Sequence, residues 1–441
     1  MLFKIINFLT SRLKYVIAIY IISAVVLIFL TNVSYTSDSL YYYQLAEDCI
    51  RASEYYPADT HLYEDYIVSP LYVNLLAGIL LIKNSTISIG ILNLLLILAQ
   101  VFILHKITKR IFSESIANLT ILLFIFYLNT FGLLLLNLTE LLFVLLLITS
   151  IYLIFIDSNA TLFAGGVLIG ISISVRPLGW AFLAALLLIH LYQIIKDKKI
   201  IIKMAYMYAG TALFIIMFGT FTYLHFGNFE FTSTTGPVNL LIGANDDATG
   251  GFDSGVYEKG KIGYLENPGS MTYKQKGDFY LNQSVKWIQE NPGKWISLMP
   301  MKIFHSFVWD DVSVTALFNF KNWSLIKSIK NILVDKDLNS ALPDSNIYAK
   351  LLYILIQIFH HLFYYFLLVT IVLSIYYYLK GNNKIGEINL ILIFSVISIL
   401  IITATVGAPR YKYHIIILLL PVASSYIEGK LLRGREIIEK P

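Results

Sequence analysis

The chain has one cysteine in 441 residues, Cys49, which excludes an intramolecular disulfide framework and any multi-cysteine metal cluster. It is also poor in charge. Asp, Glu, Lys and Arg make up 14% of the residues and hydrophobic ones 57%, where a soluble domain has about 25% charged residues. That deficit excludes a water-soluble globule, and the mean hydropathy of +0.70 agrees. The net charge of +5 is divided among short segments between apolar runs, so it forms no continuous patch, and no nucleic-acid partner is expected. No internal repeat or low-complexity tract is evident.

What is abundant is the apolar run of membrane-spanning length, about 20 residues for a helix. Lys4, Arg12 and Lys14 precede a run over 15–30 with no small-residue cleavage site after it, so it reads as an uncleaved first span with its N-terminus in the cytoplasm. Residues 31–69 then emerge outside, carrying seven acids against Arg51 alone. The run 70–82 has 13 residues, too few to cross. Read as an external interfacial helix, it leaves His105, Lys106, Lys109 and Arg110 inside after a span at 86–104. Further spans are expected near 115–133, 140–156, 160–175, 178–195, 203–225, 350–379, 387–406 and 413–427. Residues 350–379 are long enough to hold a break, and 295–309, interrupted by Pro300, Lys302 and His305, reads as interfacial.

The expectation is an all-α polytopic membrane protein with about ten transmembrane helices, external juxtamembrane helices and one large external loop. Both termini are cytoplasmic. The organisation is a membrane module over 1–226 with a first external loop at 31–85, a large external loop over 227–346, and C-terminal membrane helices with a basic cytoplasmic tail over 347–441. The large loop has 11 basic and 13 acidic residues. Its first half is rich in Gly and turn signals, helical spacing returns from Phe279, and Trp323–Leu333 reads as a short amphipathic helix. Lys380, Lys384, Lys430, Arg433 and Arg435 fall inside.

This topology puts Asp38, Glu140, Arg176, Arg410 and Lys412 on the outer membrane face. Singly each has an ordinary reading: an exposed loop acid, a helix-capping acid, an arginine snorkelling at a span boundary, an aromatic and cationic anchor at 410–413. Together they suit chemistry on a lipid-linked phosphate. Arginine presents a multi-donor fork to phosphate oxygens, and a carboxylate can take a proton from an incoming hydroxyl. A transporter or flippase of lipid-linked saccharide is the alternative, and a non-catalytic scaffold a third, but a transporter calls for ionisable groups near the midplane. The acidic stretch 245–253 lacks the spacing of a calcium loop. His360-His361 has no further ligand at helical spacing and reads as a packing pair rather than a zinc site. No metal site and no cofactor is assigned, a divalent cation being left open.

Asp38 with Tyr42, an Asp-x-x-x-Tyr pattern, resembles the first external loop of the GT-C membrane glycosyltransferases, in particular the bacterial branch related to protein mannosyltransferases and the aminoarabinose transferase of lipid A. Ser69-Pro70-Leu71-Tyr72 is similar to the entrance of that family's surface helix. Leu138-Thr139-Glu140, Val175-Arg176-Pro177 and Pro409-Arg410-Tyr411 follow in the family's order. The resemblance covers roughly residues 1–226 and 350–427. It implies a GT-C-like fold in a bacterial inner or plasma membrane, an external or periplasmic active site, and inverting transfer of a sugar from a polyprenyl-phosphate donor. The acceptor would be a lipid, glycan or protein. By resemblance Asp38 is the base, Glu140 orients donor or acceptor, and Arg176, Arg410 and, more weakly, Lys412 hold the phosphate. Tyr42, Tyr72, His305 and Trp309 are candidates for acceptor or sugar contact.

Overall fold

The computed structural model describes residues 2–31, 37–318, 347–381 and 386–432. The expected helix at Trp323–Leu333, and Lys384, Arg433 and Arg435, lie outside them. Among the described residues the regular structure is helical, apart from an isolated parallel bridge between Gly251 and Gly407. The chain opens with α1 (Leu2–Ser11) and α2 (Leu13–Leu30), then runs α3 (Ser37–Ala52), α4 (Pro70–Ile82) and α5 (Thr86–Ile111). It continues through α6 (Glu114–Phe126), α7 (Leu128–Gly132), α8 (Glu140–Ile156), α9 (Asn159–Val175), α10 (Gly179–Lys196) and α11 (Ile200–Phe226). The segment between α11 and the next long helix holds α12 (Gly236–Ile242), α13 (Tyr273–Glu290), α14 (Pro292–Phe307) and α15 (Val312–Ala316). The remaining helices are α16 (Ile347–Lys380), α17 (Gly386–Ala404) and α18 (Tyr413–Tyr426).

Six of these, α2, α5, α10, α11, α16 and α17, are long and apolar enough to cross a membrane, and α6 with the segment after it makes up to seven. The protein is an integral membrane protein. The expected ten spans all fall on helices, but α8, α9 and α18, with 17, 17 and 14 residues, are shorter than the spanning length, so the count rests on six, or seven with the bent pair. The straight span expected at 115–133 is corrected: the chain turns by 55° between Glu114–Phe126 and Leu128–Leu135. Such a break leaves backbone groups without helical partners, and in lipid they must be satisfied internally. Asn93 of α5 donates its amide to the carbonyls of Leu133, Leu134 and Leu136 at 3.0–3.3 Å. Two turns along the same face, Gln100 donates to Leu141 at 2.7 Å. The break considered within 350–379 is absent, because α16 runs unbroken for 34 residues. At 1.5 Å per residue that is about 51 Å, longer than the hydrocarbon layer.

The helices α9 and α11 meet without side chains between them. A Cβ on Gly166 would lie 1.9 Å from the Met207 carbonyl oxygen, and one on Gly210 2.2 Å from that of Phe163. Thr211 donates its hydroxyl to Gly166 at 2.9 Å. This small-residue contact supplies the van der Waals packing that lipid-surrounded helices depend on. The segment carrying α12 to α15 is joined to residues 405–407, just after α17, in the same manner. Gly407 N donates to Gly250 O at 2.9 Å, and a Cβ on Gly243 would lie 1.7 Å from Thr405 O. Gly250 has φ +91°, a backbone conformation that glycine accommodates.

Lys302 of α14 is fully buried beside this joint, its ammonium 3.4 Å from Ala404 O and 5.8 Å over the Trp295 ring. Burial pulls its pKa from 10.5 down to about 8. Between those values the unfolded chain binds more protons than the folded one, so stability rises with pH across that window. Unfolding midpoints of detergent-solubilised protein from pH 8 to 10.5 should climb for the wild type, and Lys302→Met should flatten that climb. In the same assay Gly166→Val should cost about 1–3 kcal/mol through overpacking, while Leu188→Ala, at an exposed position of α10, should stay near wild type.

Candidate active site

Four of the five charged residues placed on the outer face come together. Asp38 lies in the first turn of α3, where the helix dipole favours an acid. Asn137 N donates to the Ser39 hydroxyl at 2.8 Å, which brings the start of α3 against the segment leading into α8. Tyr72 holds that segment from the other side, donating its hydroxyl to Asn137 Oδ1 at 3.0 Å and Leu138 O at 2.9 Å. Glu140 therefore begins α8 next to Asp38. Arg176 follows α9 in extended conformation, φ −147° and ψ 131°, as a residue before proline prefers. Its Nη1 reaches Glu140 Oε1 at 2.6 Å and donates to the Thr139 hydroxyl at 3.3 Å. Arg410, on the turn Pro409–Lys412, pairs through Nη2 with Asp38 Oδ2 and brings Nε to 4.0 Å from Glu140 Oε1. Both guanidinium groups flank the Tyr411 ring, at 5.8 and 5.7 Å from its centre.

The cluster is graded from inside to outside. Side-chain exposure rises from 4% for Glu140 through 16% for Arg176 and 31% for Arg410 to 43% for Asp38. Neither carboxylate oxygen of Glu140 has a donor in hydrogen-bond alignment among the described residues; its attraction to the two arginines is coulombic. The arrangement thus offers an exposed carboxylate for proton transfer, a buried one with acceptor capacity, and two cations between them. Tyr42 stands one turn along α3 from Asp38, its ring edge-on to Tyr72 at 5.2 Å. Burial, and then the Asp38 charge, raise its hydroxyl above the ordinary pKa. It stays protonated at neutral pH.

Lys412 belongs elsewhere, and its expected place in the phosphate clamp is corrected. Residues two apart in a helical turn do not share a face, so Lys412 points away from the cluster that Arg410 joins. It is fully buried, with its ammonium 3.1 Å from Asp310 Oδ1 and donating to the carbonyls of Ser306 and Trp309. Asp310 also accepts from Asn129 at 3.0 Å and faces His360 Nε2 at 3.2 Å. His360 is therefore more than half of a packing pair. Burial alone would raise the Asp310 carboxyl, but the Lys412 ammonium and the His360 imidazole outweigh it and hold its pKa below the ordinary carboxylate value.

The other candidates lie as follows. Tyr72 is buried and spends its hydroxyl on the backbone before Glu140. Trp309 packs edge-on to His361 at 6.2 Å, and His305 lies on α14 against Gly251. No group of three or more His, Cys, Asp or Glu is placed to hold a metal ion among the described residues. Asn93, Gln100, Asn137 and His360 were not assigned sites from the sequence, and Asp310 was read only as a candidate near the acceptor. Buried amides in an otherwise apolar run were the available signal for the first two, since unpaired polar groups at that depth are costly.

No known family profile matches the chain, and no curated protein does. In three dimensions it is similar to solved structures of the Archaeoglobus fulgidus oligosaccharyltransferase. With the apo form the TM-score is 0.47 at 14% identity, over 92% of this chain and 50% of that one. The form tethered with an acceptor peptide containing the NVT sequon gives 0.48 at 12%, over 96% and 52%. The complex with an inhibitory peptide and a dolichol-phosphate gives 0.46 at 15%, over 93% and 50%. The chain thus spans about half the length of these solved chains.

Asp310→Asn should leave Lys412 buried without its counter-charge and destabilise the protein by about 3–5 kcal/mol. Adding Lys412→Met should recover part of the loss. Thermal unfolding of the single and double variants checks both outcomes.

Proposed function

We propose that this chain is an inverting glycosyltransferase of the GT-C type, transferring a sugar from a polyprenyl-phosphate donor to an acceptor on the external side of the membrane. The observation that supports this most is the meeting of Asp38, Glu140, Arg176 and Arg410, four residues from four separate segments, in one partly open cluster. The order of the short motifs along the chain supports it too, including the likeness to the protein-mannosyltransferase and aminoarabinose-transferase branch. The distribution of Lys and Arg supports cytoplasmic termini and an external site.

In this reading the acceptor hydroxyl gives its proton to the Asp38 carboxylate while its oxygen attacks the anomeric carbon. The bond from that carbon to the phosphate oxygen breaks on the opposite face, and the phosphate departs with the electron pair. Arg176 and Arg410 stabilise the charge that develops on it. Glu140 accepts hydrogen bonds from sugar hydroxyls. The Asp38–Arg410 pair gives this sequence an order: an arriving phosphate competes for Arg410 and so releases Asp38 to work as base.

Asp38→Asn should lower turnover by about 10²–10⁴-fold with donor binding little changed. Arg176→Met should weaken donor binding, and Arg176→Lys should restore only part of it, since an ammonium lacks the planar fork. The assay is sugar transfer by reconstituted protein with polyprenyl-phosphate sugars, beside donor-binding measurements. Wild-type turnover by the Asn variant would remove Asp38 from the base role. Movement of the lipid across the bilayer with no transfer would replace the whole reading with a flippase.

A further inference from the structure

A cavity lies toward the ends of α8 and α9 opposite the Asp38 cluster. Ile154 lies fourteen positions after Glu140 on α8, about 21 Å at helical rise, and lines a cavity of about 460 Å³. The cavity is formed by the last turn of α5, the C-terminal ends of α8 and α10, and the beginnings of α9, α11 and α17. Its volume falls within the usual range for small-ligand sites, about 300–1,000 Å³. Nearby cations, including Lys109, Arg110, Lys196, Lys199 and Lys203, mark this as the cytoplasmic end by the positive-inside bias.

The lining is amphiphilic. Ile154, Leu162, Leu186 and Met207 supply apolar wall, while Arg110, Asp157, Lys203 and Glu387 supply charge. The charges balance, two of each sign, so a net-anionic headgroup would meet two carboxylates. Lys203 and Asp157 pair with each other, and the other two charged lining residues are one cation, Arg110, and one anion, Glu387. Arg110 donates to Phe155 O, and a guanidinium has five N–H donors to share. Gln193 and His190, which sits 3.2 Å from the Tyr208 hydroxyl, add neutral polar groups.

We infer that this cavity binds a zwitterionic phospholipid of the cytoplasmic leaflet bearing a primary ammonium, as in a phosphoethanolamine head. The phosphate lies toward Arg110, the ammonium toward Glu387, and the first acyl carbons against Ile154, Leu162 and Met207. The site is separate from the Asp38 cluster and does not depend on the transferase reading.

The test is native mass spectrometry of the purified, delipidated full chain in detergent with added phosphatidylethanolamine, phosphatidylcholine or phosphatidylglycerol. The ethanolamine lipid should be retained about tenfold better than the choline lipid, whose quaternary nitrogen has no N–H for Glu387. Glu387→Gln should abolish that preference. Arg110→Met should lower retention of both zwitterionic lipids by about tenfold, and Met207→Trp, which fills the cavity, should lower retention of all three. Unfolding midpoints identify variants with the fold intact, and Glu387→Gln alone decides the matter if the other two fail to fold. Equal retention of the three lipids by the wild type, or an unchanged preference in Glu387→Gln, would overturn the site. Better retention of phosphatidylglycerol would overturn the zwitterion. Competition by soluble O-phosphoethanolamine as strong as by the lipid would overturn the lipid and leave a small-molecule pocket.

Discussion

A carboxylate with 4% side-chain exposure has lost most of its water and needs cations beside it to offset that loss. Glu140 sets that condition, and the arrangement of the outer face follows. Arg176 arrives from the end of α9 and Arg410 from the turn before α18, and Arg410 has a donor left over for Asp38 at the start of α3. Three loops otherwise distant in sequence are thereby held at one point. None of them could shift far without leaving a charge unpaired in a poorly hydrated space.

The charge cluster in turn rests on neutral polar side chains that take up unwound backbone. The chain breaks α-helical geometry at Tyr127 and again from Leu133 to Thr139, and in an apolar surrounding each freed carbonyl needs a donor. Asn93 and Tyr72 supply donors there, Gln100 adds one to Leu141 at the start of α8, and Ser39 accepts the Asn137 amide. The partner arrangement around Asp310 does the same for charge, joining the end of α14, the middle of α16 and the turn carrying Lys412. That turn therefore has two faces: Arg410 looks to the exposed cluster and Lys412 to the interior.

How much of this was legible in the sequence depended on whether the signal was local. Apolar runs of spanning length announced α2, α5, α10, α11, α16 and α17, and the short run 70–82 announced a helix too brief to cross. The bend after Phe126 was masked by the apolar run around it: Asn129 and Gly132 weaken a helix without deciding whether it breaks, and the amides that take up the freed carbonyls lie on α5. The meeting of Asp38, Glu140, Arg176 and Arg410 was suggested by their common membrane level and motif order, which fix depth but not lateral position. Lys412 was misplaced for the converse reason. Its depth matched that of Arg410, while its direction was set by Asp310, a residue about a hundred positions earlier.

The joint of Gly243, Gly250 and Gly407 ties the segment between α11 and α16 to the membrane helices. Residues 243–251 and Lys302 of α14 fit residues 405–407, just after α17, backbone to backbone, with Gly407 three residues before Arg410. The stretch over 252–270 is turns and short 3-10 helices with much exposed surface, and Val256 within it is buried beside Leu241, Ile242, Tyr280 and Val406. An exchange of this segment between proteins of this kind therefore has to keep Gly243, Gly250 and Val256 together with the membrane helices whose following residues they fit.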